Sequence, residues 1–247
     1  RRRLMLGVGL RVGTTYPNPP FNAMPGGTGL DIELMTELAG ALGESVEFIA
    51  YDGANFDGIF DRLGAGDYDC VAAGTTVTSG HEHVVEFLTP YLISGQALAV
   101  DTSRLPHVHS IDDLDGLIIG IQRGNTSELI AQRLVAEGKA ARLRAYDDGA
   151  IGVAIAHLST GECDAVMKVD PVLTELVKLI HRASPGVQVV QRGLSVEHIA
   201  IAVAVADQAL ASRLRNAQAA LEEAGTLQRI RLKWLGKPYV DQSVGAL

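Results

Sequence analysis

Two stretches of this chain, 95 residues apart, carry one pattern. Leu63-Gly64-Ala65-Gly66-Asp67-Tyr68-Asp69-Cys70-Val71 matches Leu158-Ser159-Thr160-Gly161-Glu162-Cys163-Asp164-Ala165-Val166. In each, a helical run ends, glycine turns the chain, an acidic residue follows and an apolar strand begins. Arg11-Val12-Gly13-Thr14 likewise resembles Ile119-Gly120-Ile121-Gln122. A duplicated strand–helix unit restricts the fold more than any overall property of the chain. Its simplest reading is two similar α/β lobes, which with one site in the crevice between them would form a clamshell closing by hinge motion.

The order of elements agrees. Leu10 to Thr15 reads as a first strand and runs into Tyr16-Pro17-Asn18-Pro19-Pro20-Phe21, where three prolines forbid a helix interior. Gly26 to Gly29 is a turn. Leu30, Ile32, Leu34, Met35, Leu38 and Leu42 recur at helical spacing, predicting a helix over 31–42 that ends at Gly43. Val46 to Ile49 alternates as a strand, and Phe56 to Leu63 reads as a short helix. The first part is therefore β-α-β-α-β with a parallel sheet covered by helices. In the second part, strands are predicted at Leu117–Ile121, Arg142–Tyr146, Asp164–Met167 and Val187–Val190. Helices are predicted at Glu128–Glu137 with Ser127 as cap, at Ala150–Leu158, and from Asp170-Pro171 to Ile180. Gln208–Glu223 and Leu227–Trp234 read as the last two helices.

The stretch from Asp67 to Tyr91 is the first candidate site. A buried strand, Cys70 to Ala73, ends in the hydroxyl-rich turn Thr75-Thr76-Val77-Thr78-Ser79-Gly80, followed by His81-Glu82-His83. Ligands of α/β sheets settle outside the carboxyl ends of such strands. The same Thr and Ser residues also suit plain capping. The spacing of His81 and His83 fits no strong metal motif, so no metal or cofactor is expected. A net charge of −8 argues against a nucleic-acid partner, and no stretch approaches the ~20 apolar residues of a membrane span. The start, Arg1-Arg2-Arg3 with the apolar residues after it, reads equally as the tail of a targeting segment or as a first strand. Cys70 and Cys163 read as buried free thiols.

Further segments carry a resemblance. Arg11-Val12-Gly13-Thr14 with Pro20-Phe21, Gly29-Leu30-Asp31-Ile32, Asn55-Phe56-Asp57-Gly58, Phe87-Leu88-Thr89-Pro90-Tyr91, Gly120-Ile121-Gln122-Arg123-Gly124-Asn125-Thr126 and Lys233-Trp234-Leu235-Gly236 stand in the order of one family. The chain resembles the type 2 periplasmic solute-binding proteins of amino-acid ABC transporters. The resemblance implies an α/β fold of two lobes, each a mainly parallel sheet flanked by helices, joined by two hinge strands. Lobe 1 would hold residues 1–97 and 201–247, and lobe 2 residues 98–200.

The resemblance also implies a ligand site. Asp170 stands where a second-lobe carboxylate holds the solute's ammonium, although Asp ahead of Pro171 also suits a helix start. Thr126, with Asn125 beside it at a helix N-terminus, stands where a hydroxyl reaches a solute carboxylate. Gly74, Thr75 and Thr76 stand on the wall of lobe 1, Phe56 where an aromatic covers the solute, and Asn18 where an aromatic is common. Thr15 replaces an acidic residue used by binders of basic amino acids. The family's arginine fork for an α-carboxylate is missing, and His81 stands there instead, with Arg123 as another candidate anchor.

Three readings stay open at this point. One is an extracytoplasmic, periplasmic or membrane-anchored, monomeric protein delivering a small polar solute, an amino acid or an amine, to the membrane permease of an ABC transporter. The second is an enzyme like the cyclohexadienyl dehydratases, which share the fold. The third is the sensor domain of a receptor. No paired acid and base or activated nucleophile supports the enzyme.

Overall fold

The computed structural model describes residues 9–23 and 27–245. The basic start through Val8 and Gly26 of the early turn lie outside the described residues. The chain runs β1 (Leu10–Thr14), α1 (Leu30–Ala41), β2 (Val46–Ala50), α2 (Gly58–Gly64), β3 (Cys70–Val71), β4 (Val85–Phe87), β5 (Leu92–Ser94) and β6 (Gln96–Asp101). It continues β7 (Ile118–Gln122), α3 (Thr126–Ala136), β8 (Arg142–Tyr146), α4 (Ile151–Thr160), β9 (Ala165–Val169) and α5 (Asp170–Ile180). Then come β10 (Val187–Gln191), β11 (Glu197–Ile199), β12 (Ala202–Ala204), α6 (Gln208–Glu223) and α7 (Thr226–Leu235).

The chain divides into two compact units. The first holds residues 1–51, 58–93 and 198–247, and the second residues 52–57 and 94–197. Each has one five-stranded sheet. In the first unit the order is β2-β1-β3-β12-β4, and in the second β8-β7-β9-β6-β10. The two sheets repeat one plan. β1 pairs in parallel with β2 and β3, as β7 does with β8 and β9. A strand from elsewhere in the chain then adds antiparallel, β12 beside β3 and β6 beside β9. The two copies of the sequence repeat end in β3 and β9, which hold the same place in their sheets. The sheets are mainly parallel over these first three strands, as expected, and turn antiparallel at β6 and β12, which are not reached through the crossover helix that a parallel neighbour needs. A third, two-stranded sheet pairs β5 with β11.

Local chemistry explains the elements. β9, Ala-Val-Met-Lys-Val, is buried along its whole length, as a strand covered on both faces must be. α5 opens at Asp170-Pro171, where the missing proline N–H costs nothing. α4 closes on Gly161 in the left-handed region. The Asp207 side chain accepts from the Leu210 N–H and caps α6. α1 packs on α6 and α7. In the second unit, Leu98, Leu114, Ile119, Ile121 and Met167 form the core, with Leu134 of α3 against them. Both cysteines are free and buried.

Two sequence expectations need correction. Ser127 does not cap α3: the helix starts two residues earlier than expected, at Thr126, Asn125 takes the cap position, and Ser127 lies buried inside with no hydrogen bond to its hydroxyl. Phe56 and Asp57 are not helical, since α2 starts at Gly58.

Candidate functional site

In the second unit, the carboxyl ends of β7, β8 and β9 share one edge of the sheet. β6 runs against β9 with Gln96 opposite Val169, so β6 begins at that same edge. Here the apolar strands give way to polar side chains that bond to one another. Gln122 ends β7, Lys168 is the penultimate residue of β9, Gln96 starts β6, and Asn125 and Thr126 start α3.

The cluster has two connected halves. The Gln96 Nε2 donates to Thr126 Oγ1 (3.0 Å) and to both carboxylate oxygens of Glu197 (3.1 and 3.3 Å). The Thr126 hydroxyl donates to Glu197 at 2.6 Å, and the Ser195 hydroxyl does so at 3.2 Å. A carboxylate as buried as that of Glu197 persists only with such donors around it. In the other half, the Lys168 Nζ donates to Gln122 Oε1 (2.6 Å) and Asn125 Oδ1 (2.9 Å), and Gln122 Nε2 donates to Asp148. Burial pulls the Lys168 ammonium down to about 8, while Asp148 and Glu197 resist that shift. Burial also raises Asp148, against the pull of Lys168. Three polar atoms at this edge are buried without a hydrogen-bond partner: Gln96 Oε1, Asn125 Nδ2 and Ser127 Oγ.

Because the Lys168 value in the fold lies below its ordinary 10.5, the unfolded chain binds more protons between those two values. Lys168 therefore contributes stability above pH 10.5 and loses it as the pH falls through 8. Between pH 8 and 10 the wild type should gain stability relative to Lys168→Met. Urea denaturation across that range measures it, and a constant difference would place the ammonium in water.

The predicted site residues of the second unit have definite partners. The Asp170 carboxylate is bonded by Arg192 and, at 2.8 Å, by the Thr174 hydroxyl one helical turn on. Arg123 is half exposed and pairs with Asp147 at 3.1 Å. Its carbonyl accepts from the Phe56 N–H (3.1 Å), which ties the buried Phe56 to this unit. That approach needs Gly124, at φ +79°, because a Cβ there would strike Asn55 and the Phe56 nitrogen.

The first unit has its own polar edge, beyond β1 and β3. Thr15 is buried directly after β1, and the buried Asn18 donates to the Ala73 carbonyl at 3.2 Å. The Gly74 N–H donates to Asp31 Oδ2 (2.7 Å), and the Tyr91 hydroxyl donates to Asp31 Oδ1 (2.6 Å). The Thr75 hydroxyl donates to the Ala200 carbonyl at 2.7 Å, and Thr76 bridges to Ile199. His81 closes a short 3-10 turn, Ser79–His81, with its ring 4.6 Å from that of Phe60.

Sequence reasoning passed over Gln96, Lys168 and Glu197. The signal was present: Lys168 lies inside an apolar strand and Gln96 inside an apolar run, and buried polar groups require partners.

The sequence profile of the bacterial extracellular solute-binding proteins, family 3, matches residues 10–237. The chain belongs to this family. It is a solute-binding protein rather than an enzyme of the dehydratase kind, and its fold is that of the type 2 periplasmic binding proteins. A probable histidine-binding protein of Neisseria gonorrhoeae is 26% identical over 211 residues, covering 85% of this chain and 75% of that protein. The L-cystine-binding protein TcyJ of Escherichia coli K12 is 27% identical over 224 residues, covering 90% and 80%. Among solved structures, an ancestral arginine-binding protein bound to arginine is 33% identical with a TM-score of 0.83, covering 92% of this chain and 98% of that one. Among the described residues, no helix of this solute-binding protein is long and apolar enough to cross a membrane, and no group of three or more His, Cys, Asp or Glu could hold a metal ion.

Proposed function

We propose that this chain, acting as a monomer outside the cytoplasm, captures an amino acid or a related amine and presents it to the membrane permease of an ABC transporter. The reading rests on one structural observation above others. The carboxyl edge of the second sheet gathers polar groups into two hydrogen-bonded sets, the buried Glu197 and Gln96 with the half-buried Thr126, and the buried Lys168 with Gln122 and Asn125. Relatives named for binding histidine, cystine and arginine support the solute class. In this reading the two compact units are the two lobes. Thr15, Asn18, Gly74, Thr75, Thr76 and His81 form the contribution of the first, and Phe56, Arg123, Asn125, Thr126 and Asp170 that of the second. Asp170 would reach a solute only by sharing its carboxylate with Arg192.

A thermal-shift screen of amino acids and simple amines tests this. A solute at a hundred times its Kd adds about 2.7 kcal/mol of stability, a rise of roughly 5–10 °C for a chain of this size. At least one compound should produce such a rise. A panel in which none moves the melting temperature contradicts the reading.

A further inference from the structure

Two side-chain amides at the polar edge of the second unit cannot turn over. Asn125 Oδ1 accepts from the Lys168 ammonium at 2.9 Å, and a flipped amide would set its NH2 against that ammonium. Gln96 Nε2 donates to Glu197 and to the Thr126 oxygen, and a flipped amide would set an oxygen against the Glu197 carboxylate. Each amide thus has one end fixed by a charged neighbour. The other ends, Asn125 Nδ2 and Gln96 Oε1, are buried atoms without a hydrogen-bond partner. One is a donor and the other an acceptor. Thr126 joins them, since it follows Asn125 in the chain and its hydroxyl oxygen accepts from Gln96 at 3.0 Å.

The charged groups of this edge already have bonds. Lys168 Nζ donates to Gln122 and Asn125, and Glu197 accepts from Gln96, Thr126 and Ser195. What remains to be bonded is neutral, and a neutral group costs least to bring into a dry place. A solute carboxylate suits Asn125 Nδ2 but has no hydrogen for Gln96 Oε1. An ammonium suits Gln96 Oε1 but has no lone pair for Asn125 Nδ2. A carboxamide has both, with its oxygen and its N–H carried on one carbon. The Ser127 hydroxyl, also without a partner, gives or takes a hydrogen bond and so favours none of the three. It lies with Ala131 and Leu134 on the buried face of α3.

We infer that the solute carries a carboxamide, whose oxygen accepts from Asn125 and whose N–H donates to Gln96. This deepens the proposed function and rests on it. Among amino acids, glutamine and asparagine have such a group in the side chain.

Isothermal titration calorimetry on the wild-type chain compares glutamine with glutamate and ornithine, and asparagine with aspartate. The acids replace the amide by a carboxylate of the same shape, and ornithine replaces it by an ammonium. The inference expects glutamine or asparagine to bind at least about ten-fold more tightly than its counterparts, since each counterpart leaves one buried amide atom unpaired. An acid or ornithine that binds as tightly as its amide overturns the inference and leaves the proposed function standing. The two atoms then meet water, or the solute's own α-carboxylate and ammonium. A result in which neither amide binds while another amino acid or amine raises the melting temperature has the same meaning. A screen with no binder at all overturns both. Asn125→Asp keeps an oxygen for Lys168 and removes only the unpaired N–H. Its affinity for the amide should fall about ten-fold or more, while its melting temperature holds because the new carboxylate faces the Lys168 ammonium. An unchanged affinity would remove Asn125 from the solute and overturn the inference.

Discussion

Replacing Asp31 by alanine should destabilise the chain by about 2–5 kcal/mol, because the buried Tyr91 hydroxyl and the half-buried Gly74 N–H lose their acceptor together at about 1–3 kcal/mol each. The Asp31 carboxylate takes the Tyr91 hydroxyl on one oxygen and the Gly74 N–H on the other. Gly74 turns the chain after β3 at φ +59°, where a side chain would be strained and would strike Phe21. Asp31 therefore fastens the turn that carries Thr75 and Thr76 to the start of α1. Asp31→Asn keeps one acceptor and should cost less.

The same carboxyl has a pH signature. Burial pushes it up to about 6, against the lowering effect of the Tyr91 and Gly74 bonds. Its value in the fold lies above its ordinary 3.8, so the folded state holds the proton more tightly. The stability it contributes is whole below about pH 4 and is lost as the pH rises through about 6. The non-titrating Asp31→Asn variant should thus trail the wild type by more at pH 4 than at pH 7. Urea midpoints at the two values measure this, and the opposite order would show that the carboxyl is not held in an apolar setting.

The second large effect is expected at Glu222. Arg231 is buried in α7, and its guanidinium donates to both Glu222 oxygens (2.7 and 2.6 Å) and to the Tyr91 carbonyl (2.7 Å). Glu222→Ala would leave that cation buried without its counter-charge, and breaking a buried pair from one side costs about 3–5 kcal/mol. Glu222 itself is about a third exposed, so water recovers part of this and a loss of about 3 kcal/mol is expected. Denaturation of Glu222→Ala beside Arg231→Met separates the causes. If the unpaired cation is what hurts, Glu222→Ala is the less stable of the two.

Much of the framework was legible because it rests on local pattern. The repeat at Leu63 and Leu158 marks β3 and β9, and Gln208–Glu223 shows its helix by apolar spacing alone. The placement of β6 and β12 was not legible, since antiparallel addition of a distant strand leaves no mark within the strand. The polar edges show the same limit. Thr126 was recognisable as a hydroxyl at a helix start, but its partner lies 71 residues away at Glu197. Asp170 was recognisable as an acid at a helix start, but Arg192, 22 residues on, takes its charge. Residue type shows what a side chain can do, and only the fold shows which partner it has.

The most direct test of the central claim is a structure of the chain with a bound amino acid or amine, obtained by soaking or co-crystallisation. It should place the solute within hydrogen-bond distance of side chains at the polar edge of the second sheet, Thr126 among them. A solute bound away from that edge would contradict it.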